Sequence, residues 1–189
     1  MTIDDIPVIA PYFRFVTTNT CDFTVGGMFM WRDYFHMAWQ VKDGVLYSTL
    51  TGEDGNLYYN LPLGEDIPAG LRQCLTRHPE RPVRFCTIPE AELPLFRALP
   101  GRVEITEEEN FADYLYSAEE MIRLSGKKFS GQRNHISRFL RTCQSWSFEP
   151  LDNTDAAEVE TFFHTLNKKL NYTPGEAAEE NHKVQEVLE

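Results

Sequence analysis

The residues best suited to chemistry lie between Gly126 and Arg141, "GKKFSGQRNHISRFLR". The segment contains G-x-x-x-x-G, the opening of a loop that cradles phosphates with backbone N–H groups. Gln132 and Arg133 stand where that loop requires Lys and then Ser or Thr. Such a loop also follows a buried strand, whereas "EEMIRLSG" ahead of Gly126 has helical spacing and charge, which argues against a nucleotide-triphosphate site. What remains is the charge. No Asp or Glu occurs from Met121 to Phe148, while Arg123, Lys127, Lys128, Arg133, Arg138 and Arg141 all fall there, in a chain of net charge -11. A segregated positive patch can hold an anion that the average charge repels. Arg133, with Asn134 beside it, offers the planar fork that matches phosphate or carboxylate. Lys127, Lys128, Arg133, Asn134, Arg138 and Arg141 are therefore the candidate phosphate-binding residues. The plainer reading is an amphipathic helix whose basic face balances acidic neighbours.

A helix is what must position them. At about 100° per residue, Phe129, Gln132, Ile136, Phe139, Leu140 and Cys143 share one face and Lys127, Asn134, Arg138 and Arg141 the opposite one, with Arg133 and His135 at the edges. Gln132 on the apolar face must find partners if it is buried. Downstream, "SFEPL" reads as a strand and leads into a helix from about Asn153, where Val159, Phe162, Phe163, Leu166 and Leu170 keep helical spacing. Thr173-Pro174-Gly175-Glu176 forms a capping box that starts a last helix, with a thin apolar stripe of Ala177, Val184, Val187 and Leu188. That stripe leads us to expect that the chain ends inside a second domain. Upstream, "DYLYS" reads as a strand and "AEEMIRL" as a helix.

The first part of the chain has a different pattern. After a short helix or turn in "DDIPVIAPYF", Met30, Trp31, Tyr34 and Phe35 are spaced to share a helical face, turning Arg32 and Asp33 outward. Gly26-Gly27 weakens that helix, which implies a close approach or a bend. Alternation in "HMAWQVKDG", "VLYSTLTG" and "NLYYNLPLG", with Asp43-Gly44 and Asp54-Gly55 as turns, predicts an antiparallel meander. A helix "PAGLRQCLTRH", a strand "VRFCTI", a short helix "EAELPLFRAL" and a strand "RVEITEE" follow. This order predicts a mixed α/β (α+β) domain, bounded by the solvated acidic run Glu107 to Glu109. Basic residues in this part, such as Arg72 and Arg77, are not clustered.

Composition removes several classes. The cysteines Cys21, Cys74, Cys86 and Cys143 are scattered singly, and His36, His78, His164 and His182 are unpaired at any metal spacing, so a zinc site and a disulfide framework are not expected. There is no G-x-S-x-G or other nucleophile motif. The N-terminus is acidic and broken by Pro7 and Pro11, unlike a secretory signal, and no stretch approaches a membrane span. A cytoplasmic protein with no integral membrane segment is expected.

"GKKFSGQRNHISRF", followed by "WSFEPL" and "VETFFHTLNKKL", resembles the bacterial family grouped with the C-terminal domain of phosphatidylglycerol lysyltransferase. "FMWRDYF", "LPLG" and "DYLYS" resemble the soluble branch of that family, and the G-K-K-x4-R-N pattern is the most specific element. The resemblance implies two tandem acyltransferase-like (GNAT-type) domains, residues 1–113 forming the first copy and 114–189 the beginning of a second whose C-terminal half is missing. It also implies an acyltransferase that moves an aminoacyl group from aminoacyl-tRNA, or an acyl group from acyl-CoA, to an amine or hydroxyl. On that reading the basic segment meets tRNA or another polyanion, and the catalytic groups are expected beyond residue 189. This fragment alone is then expected to be inactive. A non-catalytic tRNA- or polyanion-binding module and a scaffold with a solvated basic helix are the alternatives. No R/Q-x-x-G-x-G/A loop, which cradles the pyrophosphate of coenzyme A in ordinary acetyltransferases, occurs. An acyl-tRNA donor, a degenerate first copy and a truncated chain all fit that departure.

Overall fold

Asp43 and Gly44 both have positive φ, 52° and 75°, the backbone that a two-residue hairpin turn needs to match the twist of its strands. The turn joins β1 (Ala38–Lys42) to β2 (Val45–Thr51), antiparallel with Lys42 opposite Val45. The second turn, with Gly55 at φ 73°, returns the chain as β3 (Leu57–Tyr59), antiparallel to β2. Residues 53, 110, 111, 152–154, 171–181, 185 and 187–189 apart, the chain is described by a computed structural model. It divides into two compact units, Met1–Asp113 and Tyr114–Glu189.

In the first unit, α3 (Ile67–Arg77) carries the chain from β3 to β4 (Arg84–Phe85), which lies parallel to β3, and the strand order is β1-β2-β3-β4. Short helices precede the sheet: α1 (Ile6–Ile9), a 3-10 segment Ala10–Phe15 and α2 (Val25–Trp31). After β4 comes α4 (Leu93–Arg97). The architecture is mixed α+β. Val45, Leu46, Tyr47 and Ser48 are all buried, so both faces of β2 are covered. Leu46 packs with Ile9, Phe23, Leu71 and Phe96 in one cluster, whereas Val45 and Tyr47 join Tyr59 and Cys74 in another. Each fully buried Leu or Ile there contributes about 1.5–3 kcal/mol.

The region of α2 differs from the sequence expectation. Gly27 is the point of close approach: a Cβ there would lie 2.9 Å from the Cys21 carbonyl oxygen and 2.9 Å from Thr24 Oγ1, while Gly26 faces open space. The helix ends at Trp31, so helical spacing does not extend to Tyr34 and Phe35. Arg32, expected outside, is buried. Its guanidinium carbon lies 3.9 Å from the centre of the Phe29 ring and Nη1 donates to the Phe29 carbonyl at 2.6 Å. Trp31 and Tyr34, expected inside, are about half exposed and meet edge to face at 6.0 Å.

In the second unit, α5 (Ala118–Arg123) is capped by Ser117, whose hydroxyl accepts from the Glu120 N–H. A 3-10 turn, Lys127–Phe129, leads into α6 (Ser130–Thr142), and α7 (Ala156–Leu170) follows. The predicted strands in 102–108, 113–117 and 147–151 have no regular structure. Their alternation suits a strand, but a strand needs a neighbouring backbone to pair with, and these find none among the described residues. The predicted capping box at Thr173 lies outside the described residues.

Candidate polyanion-binding helix

The segment from Gly126 to Arg141 is held by its own backbone demands before any ligand is considered. Gly126 has φ 86° and ψ 175°, a region essentially closed to residues with a Cβ. Leu124 is left-handed, at φ 45°, and ends α5. The carbonyls of this corner are taken by Arg133, whose Nη1 donates to Leu124 O at 2.5 Å and to Gly126 O at 2.8 Å. Its Nη2 and Nε donors remain for another partner. Thus Gly126 and Arg133, two letters of the most specific pattern, shape the corner between α5 and α6.

The other candidates separate into two groups. Lys128 Nζ pairs with Glu120 Oε1 at 2.7 Å and lies 4.9 Å from the centre of the Phe129 ring. Outside the candidate set, Arg123 pairs with Glu119 at 2.9 Å, as i,i+4 spacing allows. Lys127, Arg138 and Arg141 have no carboxylate partner among the described residues. Asn134, Arg138 and Arg141 recur at i, i+4 and i+7, so they form one stripe along α6, and all are exposed. Gln132, expected on a buried face, is exposed, and so is His135. The apolar face of α6 is itself about half exposed at Ile136, Phe139 and Leu140, with Phe139 meeting Trp146 edge to face at 5.9 Å. A buried amide therefore gives no support to the anion reading.

The first unit offers no comparable phosphate cradle at α3. The helix start is already filled by the Asp66 carboxylate, which accepts from the Ala69 N–H at 2.8 Å, and Pro68 supplies no N–H there. A second anion would meet that charge. A cleft of about 980 Å³ is flanked by Arg14 and Arg72 and by Asp43, Glu65 and Asp66, and contains none of the candidate phosphate-binding residues.

The thiols of this unit are poor nucleophiles. Burial pushes Cys74 and Cys86 each up to about 11. Cys21 Sγ donates to Asp113 Oδ1 at 3.2 Å, and this bond raises its pKa. Among the described residues there is no group of His, Cys, Asp or Glu arranged to hold a metal, and no helix long and apolar enough to cross a membrane.

One basic grouping escaped the sequence reading. His78, Arg81 and Arg84, in "RHPERPVR", line a single cleft of the first unit, although basic residues there had looked unclustered. Their spacing of three residues was the available signal.

The family model described as "Phosphatidylglycerol lysyltransferase, C-terminal" matches residues 13–165. The chain belongs to this family. The match to the lysyltransferase C-terminal family includes β1–β4, α6 and the corner ahead of it. Among solved structures, a conserved protein of unknown function from Bacteroides thetaiotaomicron superposes with a TM-score of 0.73 at 24% identity, covering 99% of this chain and 66% of that one. The chain thus spans slightly under two thirds of that relative. No curated protein matches it.

Proposed function

We propose that the chain is part of an acyltransferase-type protein that moves an aminoacyl group from aminoacyl-tRNA to an amine or hydroxyl, and that α6 holds the phosphates of the donor. The observation that carries this reading is the set of exposed cations Lys127, Arg138 and Arg141, which have no carboxylate partner among the described residues. Exposed cations with no carboxylate partner keep their full attraction for a polyanion, whereas Lys128 is already paired with Glu120. Membership of a family titled for a lysyltransferase supports the transfer chemistry. In this reading the two units are a first GNAT-like domain and the beginning of a second. The carboxylate at the start of α3 supports a first copy that no longer takes an acyl-CoA pyrophosphate. The helix contributes position, which is much of what such a reaction requires, and the acceptor enters elsewhere.

Binding of unacylated tRNA at several salt concentrations tests the first half. The log–log slope is expected to fall by roughly 0.7–0.9 for each of Arg138→Gln and Arg141→Gln. Lys128→Gln is expected to change it less. Slopes unchanged in both arginine variants would remove α6 from the interface. Charged tRNA offered to the uninterrupted gene product tests the second half: binding without transfer would make this a polyanion-holding module instead.

A further inference from the structure

A small cleft, about 30 Å³, opens in the first unit between the end of α3 and β4, lined by Tyr59, His78, Arg81 and Arg84 among others. Hydrogen-bond direction there leaves one donor over. Arg81 Nη2 lies 3.2 Å from His78 Nδ1, and a guanidinium only donates, so Nδ1 accepts. An imidazole accepting at Nδ1 carries its proton on Nε2, which lies 3.0 Å from the Tyr59 hydroxyl oxygen and donates to it. The Tyr59 O–H proton then has no acceptor among the described residues, although Tyr59 is only 5% exposed.

The charges point the same way. No acidic residue lines the cleft, and neither Arg81 nor Arg84 has a carboxylate within ion-pair distance among the described residues. Asp54 feels the charge of Arg84, but its oxygens already accept from Asn56 N, Asn56 Nδ2 and Tyr58 Oη at 2.9, 2.6 and 2.8 Å. The partial negative charge at the end of α3 accounts for Arg81, in the turn that follows the helix, but not for Arg84, which comes from β4. We propose that this cleft binds a small oxyanion, a carboxylate or phosphate group, between Arg81 and Arg84, with the Tyr59 hydroxyl as a third donor. Since a water needs about 10–15 Å³, the cleft has room for roughly two oxygens, the edge such an anion presents to a guanidinium fork.

Titration with inorganic phosphate, and separately with acetate, at ionic strength held constant with chloride tests the site through the ring resonances of His78. A saturable shift is expected, with a dissociation constant raised about tenfold by Arg84→Gln and several-fold by Tyr59→Phe. Arg72→Gln, outside the cleft, is expected to leave it unchanged. Tighter binding of phosphate would identify a phosphate-bearing ligand, and tighter binding of acetate a carboxylate. Arg84 is exposed, so its variant remains a fair test even if Tyr59→Phe does not fold. A shift that fails to saturate with either anion, or that is the same in Arg84→Gln, would overturn the proposal.

Discussion

Helices α3 and α6 are both amphipathic, of 11 and 13 residues, yet they end in opposite situations. On α3, Leu71 and Cys74 are wholly buried against the sheet; on α6 no residue is buried, and Ile136, Phe139 and Leu140 remain about half exposed. Periodicity decides which side of a helix is apolar. Whether that side is covered depends on what the rest of the chain places beside it. The cations follow the same division. Arg77, at the end of α3, lies over the Tyr47 ring at 4.7 Å and donates to Gln40 Oε1 at 3.0 Å, whereas Arg138 and Arg141 on α6 face solvent.

The strongest test of the contrast removes equivalent leucines. Leu71→Ala is expected to cost about 2–5 kcal/mol in urea unfolding, and Leu140→Ala no more than about 0.5 kcal/mol. Equal losses would mean that α6 is covered in solution. The paired glycines of α2 come next. Gly27→Ala is expected to destabilise by about 1–3 kcal/mol, because the new Cβ meets the Cys21 carbonyl, while Gly26→Ala gains up to about 1 kcal/mol of helix propensity. Thermal melting of the two variants should move in opposite directions; a common direction would contradict the close approach at Gly27.

The smallest effects are electrostatic. Asp22 titrates above the usual carboxylate range, first because it is partly buried and second because of the Asp113 charge. A raised folded-state pKa means that ionised Asp22 opposes folding at neutral pH, and that this opposition fades as pH falls through the raised value and is gone below about 3.8. Asp22→Asn is therefore expected to be more stable than the parent at neutral pH and equal to it in acid, measured by urea midpoints. Asp54 has the opposite sign: bonds from the Asn56 side chain, then from its N–H, lower its pKa. Its stabilising contribution is present above about 3.8 and lost as pH falls through the lower folded value. Asn56→Ala should return the Asp54 carboxyl resonance toward the ordinary midpoint, and an unmoved midpoint would refute that cause.

Local signals carried most of what the sequence made legible. Asp43-Gly44 specified the hairpin because few other dipeptides accept two positive φ values, and the helix expected over "PAGLRQCLTRH" is α3 to within a residue at each end. The α6 stripe was legible for the same reason, since spacing alone places Asn134, Arg138 and Arg141 together. Non-local events were not legible. The burial of Arg32 depends on α2 stopping one residue earlier, and the role of Arg133 depends on carbonyls seven and nine residues away in a left-handed corner. The apolar alternation around Val103 and Ile105 says nothing about whether a neighbouring strand exists. The cleft at His78 needed β4 to bring Arg84 to the end of α3.

The order β1-β2-β3-β4 bears on how the first unit is made. Each strand joins an edge already present, so none has to insert between earlier ones, and the sheet can grow in the direction of synthesis as the chain leaves the ribosome. The two hairpins close short loops and form quickly, on the scale of microseconds. The parallel pairing of β4 must wait until α3 has crossed over, so this two-residue strand is expected to be the last to join the sheet.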